Sequence, residues 1–308
     1  MGMPSFEEFH AYLKTVTLET DEVDGETLQE SQEVESYRIN HSYRMWRSLQ
    51  IIEEMIPAGR PLRVLELGSA PYFFSALMLH YLECEVVGSN VQAQVWPSKS
   101  REIHQATVTL RHGPNDHIDQ LPVYIFNFEL DDFPFEDREF DLVLCMEVIE
   151  HLAYSPTHML AEAHRVLKPG GKLLLTTPNA VDMHKTIRMI RNKPIAFEYS
   201  GYGIYGRHNR EFTGTELAQL TADCGYDVQQ VHLENVYRQF EYWPLPQFLY
   251  SLLLSLSRLP LSYFINKREY IIVIATATGH HAFNYTKNFY HFPELYDNGP
   301  AKQAMRTV

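Results

Sequence analysis

The fold is decided by residues 62–82, which read "LRVLELGSAPYFFSALMLHYL". The stretch opens as a short apolar run, turns at Gly68 and continues with apolar residues at helical spacing. A second apolar run, "CEVVGSN" at residues 84–90, follows at once. Apolar strands that alternate with helices are typical of a parallel sheet with helices on both faces. Ligands of such sheets bind beyond the carboxyl ends of the strands, so we expect functional residues there.

The same alternation continues along the chain. Three apolar runs predict strands at residues 121–130, 140–146 and 172–179. An amphipathic helix is predicted at residues 157–167, and the "KPGG" that follows should stop it. The last third predicts a helix and a final pair of strands with an insertion between them. The predicted fold class is therefore α/β, with a doubly wound, mainly parallel sheet.

Composition divides the chain into three predicted parts. Residues 1–58 form an N-terminal helical cover that includes an acidic segment, and residues 59–278 form the main domain. Within that domain we expect a lid at about 181–212 and an apolar insertion at about 240–266. The aromatic tail, residues 279–308, is predicted to pack over the domain.

The charge of the chain bears on its partners. The formal net charge is −13 over 308 residues, and residues 19–36 contain no Lys or Arg. An acidic protein gains nothing from counterion release, so a nucleic-acid partner is disfavoured. The three widely spaced cysteines predict reduced thiols and a cytoplasmic protein. The apolar residues 245–265 predict either a cap over an apolar acceptor or homodimer face, or a helix that contacts a membrane peripherally.

Two motifs lie where strands are predicted to end. After the first strand, Glu66 and Gly68 suit close approach of the backbone to a ligand, while the absence of G-x-G-x-x-G disfavours a dinucleotide. After the fourth strand, Glu147, Glu150 and His151 would share one helical face. Two carboxylates and an imidazole make part of a shell for a divalent cation, and His208 is the predicted fourth ligand. Without a metal, the histidines would be a general base.

Four segments in order resemble the class I S-adenosylmethionine-dependent methyltransferases. They are "VLELGSAPYF", "FELDDFPFEDREFDLVLCMEVIEHL", "EAHRVLKPGGKLLLTTPN" and "HNREFTGTELAQLTADCGYDV". Together they span about residues 62–234. The resemblance implies a Rossmann-like, seven-stranded sheet and S-adenosyl-L-methionine as the cofactor.

The resemblance also implies roles for residues of the first motif. Glu66 would face the amino-acid end of the cofactor, and Gly68 would let the chain pass close to it. The family usually has a second glycine where this chain has Ala70, and the alanine side chain narrows the loop. Tyr72 is expected to present an aromatic face to the sulfonium. Met146 would offer a backbone contact beneath the adenosine.

The nucleoside contacts follow from the same resemblance. Asn90 stands where the family commonly has an acid that binds both ribose hydroxyls. Glu129 stands at the position of the acid that binds the adenine amino group, with the backbone of Leu130 beside it. Asp131 and Asp132 are alternatives for that role.

"EVIEH" followed by "HNREFT" is similar to two metal-dependent families. These are the small-RNA 3′-end 2′-O-methyltransferases and the quinone-biosynthesis O-methyltransferases. The resemblance implies that Glu147, Glu150, His151 and His208 bind Mg²⁺ or Mn²⁺, with Fe²⁺ or Co²⁺ as alternatives. The predicted reaction is metal-assisted O-methylation of a small molecule or glycan with adjacent hydroxyls. The alternatives are a metal-free O- or N-methyltransferase of a natural product with His151 or His208 as the base, an inactive protein that only binds, and an RNA methyltransferase.

The predicted lid supplies candidate acceptor-binding residues. Tyr202 and Tyr205 could stack on a ring or bind hydroxyls, and Arg210 is assigned to the same surface. In the N-terminal cover, Arg38, Arg44 and Arg47 are expected either to bind an anion or to pair with nearby acids.

Overall fold

The structure is a computed structural model. It describes residues 3–19, 32–56, 61–91, 99–100, 102–195, 204–236, 252, 255 and 265–279. Predictions that fall on the other residues lie outside this range. They concern Tyr202, most of the acidic segment, nearly all of the apolar insertion and the C-terminal tail.

One mixed sheet of nine strands organises the described residues, in the order β1-β4-β5-β3-β2-β6-β7-β9-β8. Its strands are β1 (Thr17–Glu19), β2 (Leu62–Leu67), β3 (Cys84–Asn90), β4 (His104–His112), β5 (His117–Ile125), β6 (Phe140–Met146), β7 (Leu167–Pro178), β8 (Tyr226–Glu234) and β9 (Tyr270–Ala277). Its helices are α1 (Phe6–Leu13), α2 (Gln32–Met55), α3 (Phe73–Tyr81), α4 (Thr157–Val166), α5 (Met183–Ile190) and α6 (Gly214–Asp223), with 3-10 turns at Ile149–His151 and Ile204–Gly206.

The α/β, doubly wound fold class is confirmed. The five neighbouring strands β5, β3, β2, β6 and β7 are parallel to one another. Strand β9 pairs antiparallel with β7, and β8 pairs antiparallel with β9. Alternate residues of each central strand enter two apolar layers. In β2, Leu65 and Leu67 pack with α4 and α6, whereas Leu62 and Val64 pack with α1, α2 and α3. Two covered faces explain why these strands read as continuous apolar runs.

Three strand predictions need correction. The sheet has nine strands rather than seven, because β1 and β4 extend it antiparallel beyond β5. Strand β4, "HQATVTLRH", is half polar and lies toward the edge, so it lacks the apolar run of a central strand. Strand β5 begins at His117 and ends at Ile125, not at 121 and 130. Strand β7 already begins at Leu167, since the "KPGG" residues continue the strand beside an irregularity in its pairing with β6.

Helix α2 lies within residues 1–58, the predicted N-terminal cover. Its arginines pair with acids: Arg38 with Glu35, Arg47 with Glu234, and the buried Arg44 with Glu147. The last pair matters most, because it connects α2 to the end of β6. Among the helices of the described residues, none is both long enough and apolar enough to cross a membrane.

Candidate active site

A cleft that opens to solvent lies beyond the carboxyl ends of β2 and β6, between the sheet and α2. The lining combines the loop after β2 with residues of α2, α3, β6 and β9. Six lining residues carry the argument: Arg44, Glu66, Gly68, Ala70, Met146 and Tyr270.

Glu66 supplies a buried acid to this cavity. Its side chain is only 4% exposed, and its carboxyl group accepts a hydrogen bond from the Ser75 hydroxyl. Burial raises the pKa of Glu66 to about 8, which the hydrogen bond from Ser75 only partly offsets. A positively charged group in the cavity would restore the ionised form, so the site favours a cationic ligand end.

Gly68 gives the loop its tight turn. Its φ of +68° lies in the left-handed region that glycine adopts without strain. A β-carbon at this position would come within 2.5 Å of the Val148 side chain. The glycine therefore serves both the turn and the close packing of the two strand-end loops.

Tyr72 and Asn90 hold the loop together rather than lining the cavity. Tyr72 is fully buried, and its hydroxyl accepts a hydrogen bond from the Asn90 amide at 2.8 Å. The other end of the Asn90 side chain accepts from the Ala70 backbone N–H at 3.1 Å. The structure thus contradicts the prediction that Tyr72 offers a face to the ligand. The predicted ribose contact of Asn90 would have to compete with these two bonds.

Glu129 also has a structural task that the sequence did not reveal. Its buried carboxylate accepts hydrogen bonds from the backbone N–H groups of Ala153, Tyr154 and Ser155 at 2.7–3.0 Å. It therefore caps the loop after β6. The prediction that Glu129 serves only to bind the adenine amino group does not agree with this arrangement. The alternative Asp131 binds the backbone N–H of Asn127 at 2.7 Å.

Glu147 is separated from the acids with which it was grouped. Its φ is +57°, and the helical turn begins only at Ile149, so Glu147 does not share one face with Glu150 and His151. Its carboxylate instead lies 2.8 Å from the guanidinium of Arg44. The assignment of Glu147 as a ligand is therefore not reproduced in this structure.

The structure does bring Glu150, His151 and His208 together. One ligand atom from each lies within 4.8 Å of those of the other two. Glu150 is fully buried; one carboxylate oxygen accepts from the Thr177 hydroxyl at 2.9 Å, and the other, Oε1, has no hydrogen-bond partner among the described residues. Burial raises the pKa of Glu150 above its usual range, opposed by His208, Thr177 and Arg44. An unpartnered buried acceptor is costly, so this oxygen is suited to receive a ligand.

Both imidazoles in this group are oriented through Nδ1. His151 Nδ1 donates to the Arg207 carbonyl at 3.0 Å, and His208 Nδ1 donates to Glu211 at 2.9 Å. Such partners commonly orient histidines that bind metals. Burial, and then the neighbouring His208, lower the pKa of His151 to about 4, so this ring is neutral at pH 7.

The segment that carries His208 is fastened to the turn after β6. The backbone N–H groups of Asn209 and Arg210 donate to the Glu150 carbonyl, and the Asn209 amide donates to the His151 carbonyl at 2.7 Å. These bonds explain how residues nearly 60 positions apart meet.

The lid residues have mixed outcomes. The Tyr205 hydroxyl accepts a hydrogen bond from the Asn127 amide at 2.9 Å, so it lies near the loop after β5. Arg210 pairs with Glu216 at 3.4 Å and its guanidinium lies over Phe212, which directs it toward the start of α6 rather than toward the histidines. Its acceptor role is not supported by this arrangement.

Two residues that support the site were missed in the sequence. Lys185 is buried on α5, and its ammonium lies 2.5 Å from the Glu211 carboxylate that holds His208. Glu211 could have been suspected from its position three residues after His208. The role of Lys185 could not be recognised from the sequence, because its partner Glu211 is 26 residues away in the chain.

The sheet, the glycine turn and the cavity at the strand ends together form an α/β fold with a candidate ligand site at the carboxyl edge. The chain matches the family model described as "Methyltransferase domain" over residues 38–231 and belongs to that family. It is a class I S-adenosylmethionine-dependent methyltransferase, as the motifs predicted.

Several known proteins are similar to this chain. A probable S-adenosylmethionine-dependent methyltransferase of Mycolicibacterium smegmatis is 32% identical over 100 residues, 32% of this chain and 34% of that protein. A ubiquinone biosynthesis O-methyltransferase of Xanthomonas oryzae is 52% identical over 40 residues, 13% of this chain and 16% of that protein. The aligned segments thus span at most about a third of these relatives. The solved structure of a SAM-dependent methyltransferase from Archaeoglobus fulgidus has a TM-score of 0.43 at 12% identity, covering 80% of this chain and all of that one.

The residues at the cavity fit this cofactor. S-adenosylmethionine carries an ammonium and a sulfonium, and the buried Glu66 carboxyl has no positively charged hydrogen-bond partner among the described residues. Gly68 keeps the space beside it clear of a side chain. Glu66, Gly68, Ala70 and Met146 are therefore the residues that would hold the cofactor at this end.

Proposed function

We propose that the protein methylates a hydroxyl group of a small molecule or glycan with adjacent hydroxyls. A divalent cation held by Glu150, His151 and His208 assists the reaction. The observation that carries this proposal is the unpartnered Oε1 of the buried Glu150 beside the two imidazoles. A carboxylate with two imidazoles suits Mn²⁺, Fe²⁺ or Co²⁺ as well as Mg²⁺.

The chemistry explains why such a group is useful. The sulfonium already makes the methyl group electrophilic, so the enzyme must supply an oxygen nucleophile in line with it. A divalent cation, when bound, lowers the pKa of a neighbouring hydroxyl and fixes its position. The chain's own residues orient the imidazoles through Arg207 and Glu211 and exclude water around Glu150.

Two further points support the proposal. Arg44 lines the cofactor cavity, and its positive charge also helps to lower the pKa of the buried Glu150, so the cavity and the three-residue group are close neighbours. The Xanthomonas oryzae relative is named as an O-methyltransferase. That short match favours oxygen as the acceptor atom.

The test is metal binding, measured without turnover. We expect Mn²⁺ titration, followed by the electron paramagnetic resonance signal of the free ion, to show binding that Glu150→Gln weakens at least about 100-fold. Calorimetry with S-adenosylmethionine should give affinities that agree within about threefold for the two proteins, because the sites are distinct.

The matched control is Asp119→Asn, which removes an acid from another histidine cluster. It should bind Mn²⁺ at the Glu150 site as the unchanged protein does. If Glu150→Gln binds Mn²⁺ normally, the cation proposal fails and a metal-free reaction with a histidine base takes its place. If the unchanged protein does not bind S-adenosylmethionine, the chain is an inactive binding protein.

A further inference from the structure

Helix α5 ends in an unusually exposed apolar turn. Ile190 is 77% exposed, Met189 60% and Ile195 45%, which places three of the large exposed apolar side chains of the described chain within seven residues. All residues from 189 to 195 are exposed. Single exposed apolar residues are ordinary, whereas three within one seven-residue turn favour an interaction surface.

Hydrogen bonds hold this turn in shape. The Arg191 N–H donates to the Ile187 carbonyl and the Asn192 N–H to that of Met189, both at 3.0 Å. The Lys193 N–H donates back to the Arg188 carbonyl at 2.8 Å, and the Arg188 side chain donates to the Pro194 carbonyl at 2.7 Å. The apolar side chains are therefore presented by a built turn, residues 188–195, rather than by a frayed helix end.

The charge around this turn is one-sided. Residues 183–195 contain four Lys or Arg and no Asp or Glu, in a chain whose net charge is −13. Lys185 is buried and paired with Asp182 and Glu211. Arg188, Arg191 and Lys193 form no ion pair within the described residues.

We propose that the 188–195 turn docks on an anionic lipid bilayer. The apolar tip would enter the interface, and the basic side chains would contact the anionic headgroups. A projecting tip suits a soft, deformable surface, whereas an apolar helix that binds another protein usually lies in a groove. This inference does not depend on the proposed acceptor.

Docking would bring the active site close to the bilayer. Lys185 is five residues before Ile190 on the same helix, roughly 8 Å along its axis. Its ammonium contacts Glu211, which orients His208. An acceptor held at a membrane surface would therefore lie near the histidine side of the site.

The test is co-sedimentation of the full chain with large unilamellar vesicles. We expect binding to vesicles of phosphatidylcholine with 30% phosphatidylglycerol, and at least about tenfold weaker binding to pure phosphatidylcholine. Arg191→Gln with Lys193→Gln should weaken binding on the order of 25-fold, since each basic residue near an anionic surface contributes about fivefold. Met189→Ser with Ile190→Ser should weaken it at least about tenfold.

Controls for each change come from elsewhere on the surface. Ile118→Ser alters an exposed apolar residue, and Lys14→Gln with Arg138→Gln removes two exposed charges; both proteins should bind as before. The proposal is overturned if the two turn variants bind as well as the unchanged protein, or if that protein shows no preference for the anionic vesicles. It is also overturned if light scattering shows a dimer that Met189→Ser with Ile190→Ser dissociates, since the turn would then be a contact between copies.

Discussion

Two groups of three potential metal ligands occur in the described residues, at opposite edges of the sheet. His112, His117 and Asp119 lie at the β4–β5 hairpin, while Glu150, His151 and His208 lie beyond the carboxyl end of β6. The two groups have similar compositions. They differ in how their polar atoms are already used.

In the hairpin group, the carboxylate of Asp119 and both ring nitrogens of His112 already have partners. Both carboxylate oxygens of Asp119 are engaged, one by His112 at 2.6 Å and the other by His117 at 3.3 Å. The second nitrogen of the buried His112 meets the Tyr12 hydroxyl. Glu150, in contrast, keeps one buried oxygen with no hydrogen-bond partner among the described residues. The comparison teaches that a metal site is better recognised by a buried ligand atom that lacks a hydrogen-bond partner than by the number of potential ligand residues.

The largest expected difference between the two histidine groups is in how the free energy of unfolding falls at low pH. The pKa of His151 is about 4 in the fold, against 6.5 for an ordinary histidine. Between these values the unfolded chain binds more protons, so stability falls as the pH drops through this window, by at most about 3 kcal/mol. His151→Gln should remove this loss, as measured by urea unfolding at pH 7.5 and pH 4.5 without metal.

The control for this measurement is His104→Gln, at an exposed position on β4. It should keep the acid sensitivity of the unchanged protein. An equal loss of stability at pH 4.5 in His151→Gln would contradict the prediction.

The next effect concerns Glu211 and Lys185, which hold the His208 imidazole in place. Glu211→Gln and Lys185→Met should each weaken Mn²⁺ binding about 10- to 100-fold, because they loosen the orientation of His208. Mn²⁺ titration by electron paramagnetic resonance measures this directly.

Tyr12→Phe is the matched change at the hairpin, since Tyr12 is the outer partner of His112. It should leave Mn²⁺ binding unchanged. If Tyr12→Phe weakened binding as much as Glu211→Gln, the hairpin group would be the metal site and the comparison would be reversed.

The smallest expected effect is on the stability of the hairpin. Tyr12→Phe removes the hydroxyl that contacts the buried His112, which should lower the free energy of unfolding by about 1 kcal/mol. Urea unfolding at pH 7.5 measures the loss. If Tyr12→Phe unfolds at the same free energy as the unchanged protein, this hydrogen bond does not stabilise the hairpin group.

Much of the fold could be predicted because the signals are local. Strands β3 and β6 have the predicted bounds, since each is a short apolar run covered on both faces. Strand β4 was missed because a half-polar edge strand has no comparable run. The grouping of Glu150 and His151 with His208 was also predictable, first from residue type and spacing after the fourth strand and then from the resemblance to metal-dependent families.

The uses of the remaining site residues could not be predicted, because they depend on competition among polar groups that are distant in sequence. Glu147 pairs with Arg44 of α2, and Glu129 caps backbone N–H groups more than twenty residues away. Each carboxylate takes the positive or N–H partner that the packing brings closest.

The sequence alone determined the alternation of strands and helices along the central part of the chain, the glycine turn and the identity of the acids and histidines at the strand ends. Those properties follow from apolar periodicity and from residue type at fixed local spacing. Only the tertiary structure decided which carboxylate is neutralised by Arg44 and which keeps an oxygen without a hydrogen bond. The physical reason is that burial and hydrogen-bond partners are set by contacts between segments far apart in the chain.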